Sequence, residues 1–377
     1  MSVNGDRIRQ AREIRGYTQQ QLAERIGVTQ PTIAYLERTL SLQLFEPSDE
    51  MLQAIALQTG FPLQFFRQES GPDFPLGSLL YRKRNALTSQ DKRRLHQSAR
   101  LIYETAEAMA EHLNTVPVRI PRIEKEEPVE AARITRSALG LSPDSPVRNL
   151  VHQLEKNGVF VFAVPYSIDE HDAFSLWADT DLSNHTPRRP VIVFSVGKPG
   201  DRQRFTIAHE FGHLVMHHSF PNGLKQVESE ANQFASEFLM PAEAMRQEIT
   251  KPVTLNSLAE LKPRWGVSIR ALIVKAADLE IISGKQARTL HQQVMTLRLN
   301  KNEPSGVSIP AEKPRAFKKM AEVLHDVPIN YGKIARYANA PVSLIREVMN
   351  AHADRNGLGV ELTSNRDNVI ENSRFRR

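Results

Sequence analysis

The stretch AHEFGHLVMHH places His209 and His213 four residues apart, with Glu210 directly after the first histidine. On a helix, positions i and i+4 share a face, so both imidazoles can reach one zinc ion at about 2.0–2.1 Å. Glu210 lies beside that face, where it can take a proton from zinc-bound water without ligating the ion. A third ligand is required. His217 continues the four-residue spacing, but it sits eight residues from His209, roughly 12 Å along a straight helix and too far for a shared ion. LVMHH also lacks the glycine break that would bring a later histidine back. His217 and His218 therefore read as residues that support the ligands or end the helix. The segment ESEANQFASEFLMP offers Glu228 and Glu230, and either would complete a His, His, Glu set with an open fourth position.

Such a set suits peptide-bond hydrolysis, with zinc polarising the scissile carbonyl and Glu210 moving the proton to the leaving amine. An oxyanion donor is also needed. Tyr166, Arg204 and several histidines are open candidates for it. An extended substrate segment is expected to add to a sheet edge, at the strand around 174–178, through main-chain hydrogen bonds.

A second chemical element lies near the N-terminus, in TQQQLAERIGVTQPTIAYLER. Thr18 caps one helix, Gly27 supplies the turn, and Thr29 caps a second helix that begins Gln30, Pro31, Thr32. Pro31 is tolerated because it falls in the first helical turn. Leu22, Ile33 and Leu36 can form the core between the two helices, and Ala23 lets them cross closely. A helix presenting Gln30, Thr32 and Tyr35 can enter a major groove, where Gln pairs with adenine and Thr meets a thymine methyl. Gln19, at the start of the preceding helix, is placed to touch phosphate.

These groups need elements to hold them. Short β-branched and aromatic runs at 159–164, 174–178 and 191–195, separated by turn residues, read as strands of a small sheet. VGKPGD ends in Asp201, an expected N-cap for a helix running to about His218 and closed by PNG; a second helix, about 227–239, stops before Pro241. Helices are also expected at 91–113 and within 129–157, the latter broken by GLSPDSP, and most of the chain beyond 250 reads as helical. WGVSIRALIVKA and NAPVSLIREVM carry a small turn residue and a Ser cap, and read as helical hairpins. After Leu362 the sequence is polar, ends in RFRR and is expected to be poorly ordered.

At 377 residues the chain is long for one core, so two or three domains are expected. Apolar residues at 40% and charged residues at 24% describe a globular protein, and no apolar run approaches the roughly 20 residues of a membrane helix. MSVNGDRIRQ lacks the apolar stretch of a signal peptide, which points to a cytoplasmic protein. The absence of cysteine excludes disulfides, cysteine-held iron–sulfur clusters and cysteine nucleophiles, leaving His, Asp and Glu for any zinc site. The net charge of +6 permits nucleic-acid binding, but residues 1–68 hold seven basic and seven acidic side chains. Residues 73–125 hold ten against six, so a homodimer or this basic segment is expected to supplement a modest intrinsic DNA affinity.

Residues 4–66, with Gln19, Leu22, Ala23, Gly27, Thr29, Ile33, Glu37 and the closing PSDEMLQAIALQTGF, resemble the XRE (lambda-repressor-like) DNA-binding domain. RFTIAHEFGHLVMHH at 204–218, followed by ExxAN, FA and LMP at 228–241, resembles the ImmA/IrrE family of gluzincin-like metallopeptidases over about 130–247. The resemblance implies His209 and His213 as zinc ligands, Glu210 as general base, and Glu228 as third ligand with Glu230 as the fallback. It implies a mainly α, multidomain chain: an all-α helix-turn-helix domain at 1–70, a basic helical linker at 71–128, an α+β gluzincin-like metallopeptidase domain with a small sheet at 129–248, a helical C-terminal extension at 249–362 and a polar tail at 363–377. The implied function is a DNA-bound regulator that cleaves a repressor-type protein, or itself, in response to stress or DNA damage, with a double-stranded operator as its other partner and no membrane. The alternative is a non-proteolytic transcription factor or antitoxin-like regulator that uses the metallopeptidase fold as a sensor or dimerisation platform.

Overall fold

The computed structural model describes residues 2–38, 46–71, 74–80, 88–165, 173–178, 189–217, 224–297, 308–353 and 363–364. Helices α1 (Gly5–Ile14), α2 (Gln19–Ile26), α3 (Gln30–Arg38) and α4 (Asp49–Thr59) form the N-terminal bundle. Their punctuation is local. Asn4 caps α1, Thr18 and Gln21 form a reciprocal capping box on α2, and Ser48 caps α4 through the Met51 amide. Gly27 ends α2 at φ 73°, a left-handed geometry that a side chain would strain. Leu22, Ile33 and Leu36 are buried between α2 and α3, as their spacing requires.

The basic segment that follows is more than a connection. α5 (Ser89–Ala110) is 22 residues long and buries Leu95, Ala99, Ile102, Tyr103, Ala106 and Met109. It docks on α1 through apolar contacts and a buried charge cluster: Arg7 Nη1 lies 2.5 Å from Glu104 Oε2, and Arg100 lies 3.0 Å from both Asp6 and Glu104. Of its early charges, Arg93 reaches Glu13 on α1 at 3.5 Å. Arg82, Lys83 and Arg84 lie outside the described residues.

Next come β1 (Leu113–Asn114), α6 (Pro128–Ala138), α7 (Leu150–Lys156), β2 (Phe160–Val164), β3 (Ala173–Ala178) and β4 (Arg189–Ser195). The three longer strands make one sheet in the order β2-β4-β3, with β2 parallel and β3 antiparallel to the central β4. Side chains alternate between its faces. Phe160, Phe162, Val164, Phe174, Leu176, Val191 and Val193 join the core that also contains α5 and the N-terminal bundle. Val161, Ala163, Ala173, Ile192 and Phe194 join a second core on the opposite face. The strands read as nearly continuous apolar runs because both faces are buried.

That second core is built on α8 (Gly200–Met216) and α9 (Leu224–Leu239), with α10 (Ala242–Glu248), α11 (Leu255–Trp265), α12 (Ile269–Asp278) and α13 (Gly284–Thr296) around them. Its packing runs without a break across residues 248 and 249, since Trp265, Leu272 and Ile273 share it with Phe211 and Phe234. α14 (Ala316–His325), α15 (Tyr331–Arg336) and α16 (Val342–Asn350) return to the first core, and β5 (Thr363–Ser364) pairs antiparallel with β1. Residues 365–377 lie outside the described part. The two stretches expected as hairpins are α11 to α12, turning at Gly266 with Ser268 capping α12, and α15 to α16.

One expectation for α8 does not hold. The helix begins at Gly200 after Pro199, so Asp201 is not its cap. Asp201 is buried and ion-paired with Lys262 of α11, whose ammonium would otherwise be stranded in the core. The sequence signal for a cap and for a buried counter-ion is the same aspartate.

Glu155 at the end of α7 is also buried; its Oε1 accepts from the backbone amides of Arg315 and Ala316 at 2.9 and 2.8 Å. Burial pushes its carboxyl up to about 7 from 4.5, against the opposing pull of those amides and the Arg315 guanidinium. A folded-state value above the unfolded one means that its stabilising contribution is full below pH 4.5 and is lost as pH rises through about 7. The loss amounts to roughly 3 kcal/mol by linkage. Glu155→Gln should flatten this slope, so urea midpoints of the wild type should fall relative to the variant between about pH 4.5 and 7. Parallel midpoints across that range would contradict the assignment.

Candidate active site and nucleic-acid interface

α8 carries AHEFGH with Ile207, Phe211, Leu214 and Val215 buried, which turns His209 and His213 toward α9. Gly212 sits against α9, where a Cβ would come 3.0 Å from the Phe234 ring. The missing side chain allows the close helix crossing. On α9, Val227, Ala231, Phe234 and Phe238 are buried, and Glu228 and Asn232 stand one turn apart beside that apolar stripe.

The crossing brings His209, His213 and Glu228 together, with one ligand-type atom from each within 4.8 Å of the others. His209 Nε2 and His213 Nε2 are 3.1 Å apart, and each lies 3.5 Å from a Glu228 oxygen. Ligands at zinc distances in a tetrahedral site stand roughly 3.3–3.4 Å from one another, so the donor set fits a small divalent ion. Glu230 points elsewhere. Its carboxylate lies 3.0 Å from His217 Nε2 and accepts from Gln226.

The outer nitrogens of both histidines are occupied. His209 Nδ1 lies 3.0 Å from Asn232 Oδ1, which can only accept, so that nitrogen carries the proton. His213 Nδ1 lies 2.9 Å from His217 Nδ1, and His217 Nε2 faces Glu230. Burial, with the neighbouring His213, pushes the His217 imidazole down to about 4, so it is neutral at pH 7. A neutral His217 that donates from Nε2 to Glu230 accepts at Nδ1 from His213, which leaves the His213 Nε2 lone pair facing the cluster. Burial works against charge on Glu228, yet hydrogen bonds and attraction from His209 and His213 hold its carboxyl well below the usual range. For His209, desolvation is outweighed by Glu228, Glu210 and Asn232, and its pKa rises.

Glu210 is 3% exposed and turns toward the sheet. Its Oε2 accepts from Ser175 Oγ of β3 at 2.8 Å and from Ser78 Oγ at 2.7 Å, and Ser175 Oγ also lies 2.9 Å from the Glu210 carbonyl. Neither serine was evident from sequence. Ser175 could be found only by reading AFSLWA as a strand with Ala173, Ser175 and Trp177 on the α8 face, and Ser78 lies 132 residues from Glu210 with no local motif. Asn232 was within reach of sequence reasoning, being one turn after Glu228. Of the oxyanion candidates, Arg204 is excluded by its surroundings: it is buried against the carbonyls of Gly266 and Val147 and paired with Glu312. Tyr166 and His218 lie outside the described residues.

At the other end of the chain, Gln30 and Tyr35 are exposed on α3 and Thr32 is half-buried. Thr29, immediately before α3, gives its carbonyl to the Thr32 and Ile33 amides, and its hydroxyl lies 2.9 Å from that of Thr32. Gln19 accepts from Gln30 Nε2 at 2.8 Å and donates to Glu37 Oε2 at 2.8 Å. Glu37, 1% exposed, is held by Arg12 through both carboxylate oxygens, at 2.5 and 2.8 Å. A buried bidentate ion pair therefore orients the two glutamines at the rim of the helix pair.

Residues 154–276 match the family model of the IrrE N-terminal-like domain, a peptidase family, and residues 8–66 match the helix-turn-helix model. No curated protein matches the chain. The two matched regions cover the site on α8 and α9 and the α1–α4 bundle, and together they match a fusion of an XRE-like helix-turn-helix domain with an IrrE/ImmA-like domain.

Proposed function

We propose that the chain is a DNA-binding transcriptional regulator whose second domain is a zinc-dependent endopeptidase acting on a repressor-type protein. The observation that carries this reading is the convergence of His209 Nε2, His213 Nε2 and the Glu228 carboxylate, with Glu210 on the same helix one residue from a ligand. His209, His213 and Glu228 would hold the ion. When bound, zinc supplies Lewis acidity toward a carbonyl oxygen and toward water.

The remaining work falls to the protein. Glu210 receives the proton of the attacking water on its carboxylate and returns it to the leaving amine. Asn232 and the His217–Glu230 pair keep the ligand imidazoles in the tautomer with Nε2 unprotonated. Substrate lies along β3, an edge strand whose outer side can pair with an extended polypeptide. In the N-terminal domain Gln30, Thr32 and Tyr35 face the major groove of an operator, with Gln19 and Thr29 at the phosphate margin.

Purified wild type should contain zinc and cut the repressor-type protein encoded beside its gene, or itself, as read by intact mass. Glu210→Gln should keep the metal and lose activity by at least about 100-fold, whereas His213→Ala should lose both. Zinc with no cutting of either protein by the wild type would favour a sensing or dimerisation role. His217→Ala should weaken zinc binding by about 10- to 100-fold in competition with a chromophoric chelator. The retained zinc should fall as pH drops through and below the ordinary histidine value of 6.5, because a proton on His209 competes with the ion. A zinc affinity, measured by chelator competition, that does not change between about pH 7 and 5 would count against His209 as a ligand. In DNA binding, Gln30→Ala should cost about 1–3 kcal/mol of sequence discrimination and leave the salt dependence intact. Equal losses on specific and random DNA would exclude groove reading by this residue.

A further inference from the structure

The segment that leaves the N-terminal domain does not pass the peptidase site at a distance. Asn4 donates to the Gln68 carbonyl and Arg7 to the Glu69 carbonyl, which fixes where the segment departs from α1. Phe74 is then buried beside Tyr103 and His96 of α5, with ring centroids 5.3 and 5.4 Å away, and His96 Nε2 lies 2.8 Å from the Phe74 carbonyl. From this anchor the chain reaches a 3-10 turn at Gly77–Leu80, lying against β3.

Two features make that contact specific. Gly77 has φ 53°, and a Cβ there would collide with the Ser175 carbonyl and the Leu176 side chain, so the backbone lies directly on the strand. The Ser175 amide, on the side of β3 away from β4, donates to Ser78 Oγ at 2.9 Å. An edge strand offers such an amide to an incoming polypeptide. The Ser78 hydroxyl in turn donates to Glu210 Oε2 at 2.7 Å, in a position 4% exposed. One residue therefore meets both the outer amide of the strand and the carboxylate expected to move the proton.

We propose that residues 74–78 occupy, in cis, the polypeptide-binding edge of β3 beside Glu210, and that the chain becomes competent to take a substrate when this segment withdraws. The regulatory consequence rests on the peptidase reading; the occupancy does not. The segment is tied at one end to α1 and at the other to Glu210, so a change in the seating of the N-terminal domain has a direct covalent route to the site. No bond is made or broken in the switch. Withdrawal exchanges the Ser78 hydrogen bonds for those of an incoming strand and exposes Oε2 to water.

The test uses the full chain, its Gly77→Val and Ser78→Ala variants, and a fluorescent peptide of sequence FPLGSLL, which copies residues 74–80. Gly77→Val should bind the peptide at least about tenfold more tightly than the wild type, whose own segment competes for the edge. Hydrogen exchange at the Ser175 amide should be faster in both variants, by about tenfold for the loss of one buried hydrogen bond in Ser78→Ala. If zinc-loaded wild type cuts dye-quenched casein, Ser78→Ala should cut it faster at equal zinc content. Slower cutting would make Ser78 a positioning residue for Glu210 and overturn the proposal. Failure of Gly77→Val to bind the peptide, or unchanged Ser175 exchange in both variants, would also overturn it. Peptide binding by Gly77→Val with no cutting of casein, of the adjacent repressor-type protein or of the chain itself by any of the three proteins would leave the occupancy standing and reject the peptidase reading instead.

Discussion

The contact on which the site depends is the crossing of α8 and α9 at Gly212 and Phe234. The histidine pair is fixed by helical repeat alone, since any helix containing HExxH would present both imidazoles on one face. The third member, a carboxylate, is different. It comes from another helix, and its position is good only if the two axes approach closely at a defined register. Phe211, Phe234 and Phe238 pack around the crossing, with Phe234 and Phe238 stacked at 5.7 Å, and they set that register apolarly. A larger residue at 212 would push α9 outward and take Glu228 with it. The polar chemistry is therefore held in place by an apolar joint.

Around this joint the protein spends a second set of polar groups on orientation. Asn232 and the His217–Glu230 pair stand behind the two clustered imidazoles, and they decide which imidazole nitrogens carry protons. The N-terminal domain uses a similar device. Glu37, buried and doubly bonded by Arg12, holds Gln19, which holds Gln30. In both domains the group at the end of the chain of contacts borrows its geometry from a carboxylate or carbonyl set behind it. Buried charges of this kind contribute little net stability, and their removal costs more than their presence provides.

Much of this was legible in the residues. The three strands, the helix pair at the N-terminus, the HExxH helix and the carboxylate-bearing helix follow from periodicity and punctuation, because those signals are local and the chain obeys them. The choice between Glu228 and Glu230 was not, since they flank the apolar stripe of α9 on opposite sides and only the way α9 lies across α8 decides which flank meets His209 and His213 and which meets His217. Asp201 misled because an aspartate before a helix serves equally as a cap or, as here, a counter-ion to Lys262 of α11. The burial of α5 was masked by its first turns, where Lys92, Arg93 and Arg94 announce a solvated helix, while the apolar stripe that follows covers a sheet not yet formed in the sequence. Ser78 had no signal at all, because its role exists only through a contact 132 residues long.

The alternation along β3 explains how so thin a structure serves two domains. Phe174 and Leu176 point into the core shared with α5 and the N-terminal bundle, whereas Ser175 between them points at Glu210, and Trp177 donates its indole N–H to the Leu214 carbonyl of α8 at 3.0 Å. Among the described residues the sheet is a single layer of three strands, so the helix-turn-helix side and the side of the His209–His213–Glu228 cluster share the same backbone. A slip of one residue in β3 would send Ser175 into an apolar core and bring Phe174 against the Glu210 carboxylate, at a cost on both faces. Register is therefore fixed twice over, by apolar burial from one side and by hydrogen bonds from the other. Any rearrangement of the N-terminal domain that left this register intact would have to reach Glu210 through the connecting chain rather than through the sheet.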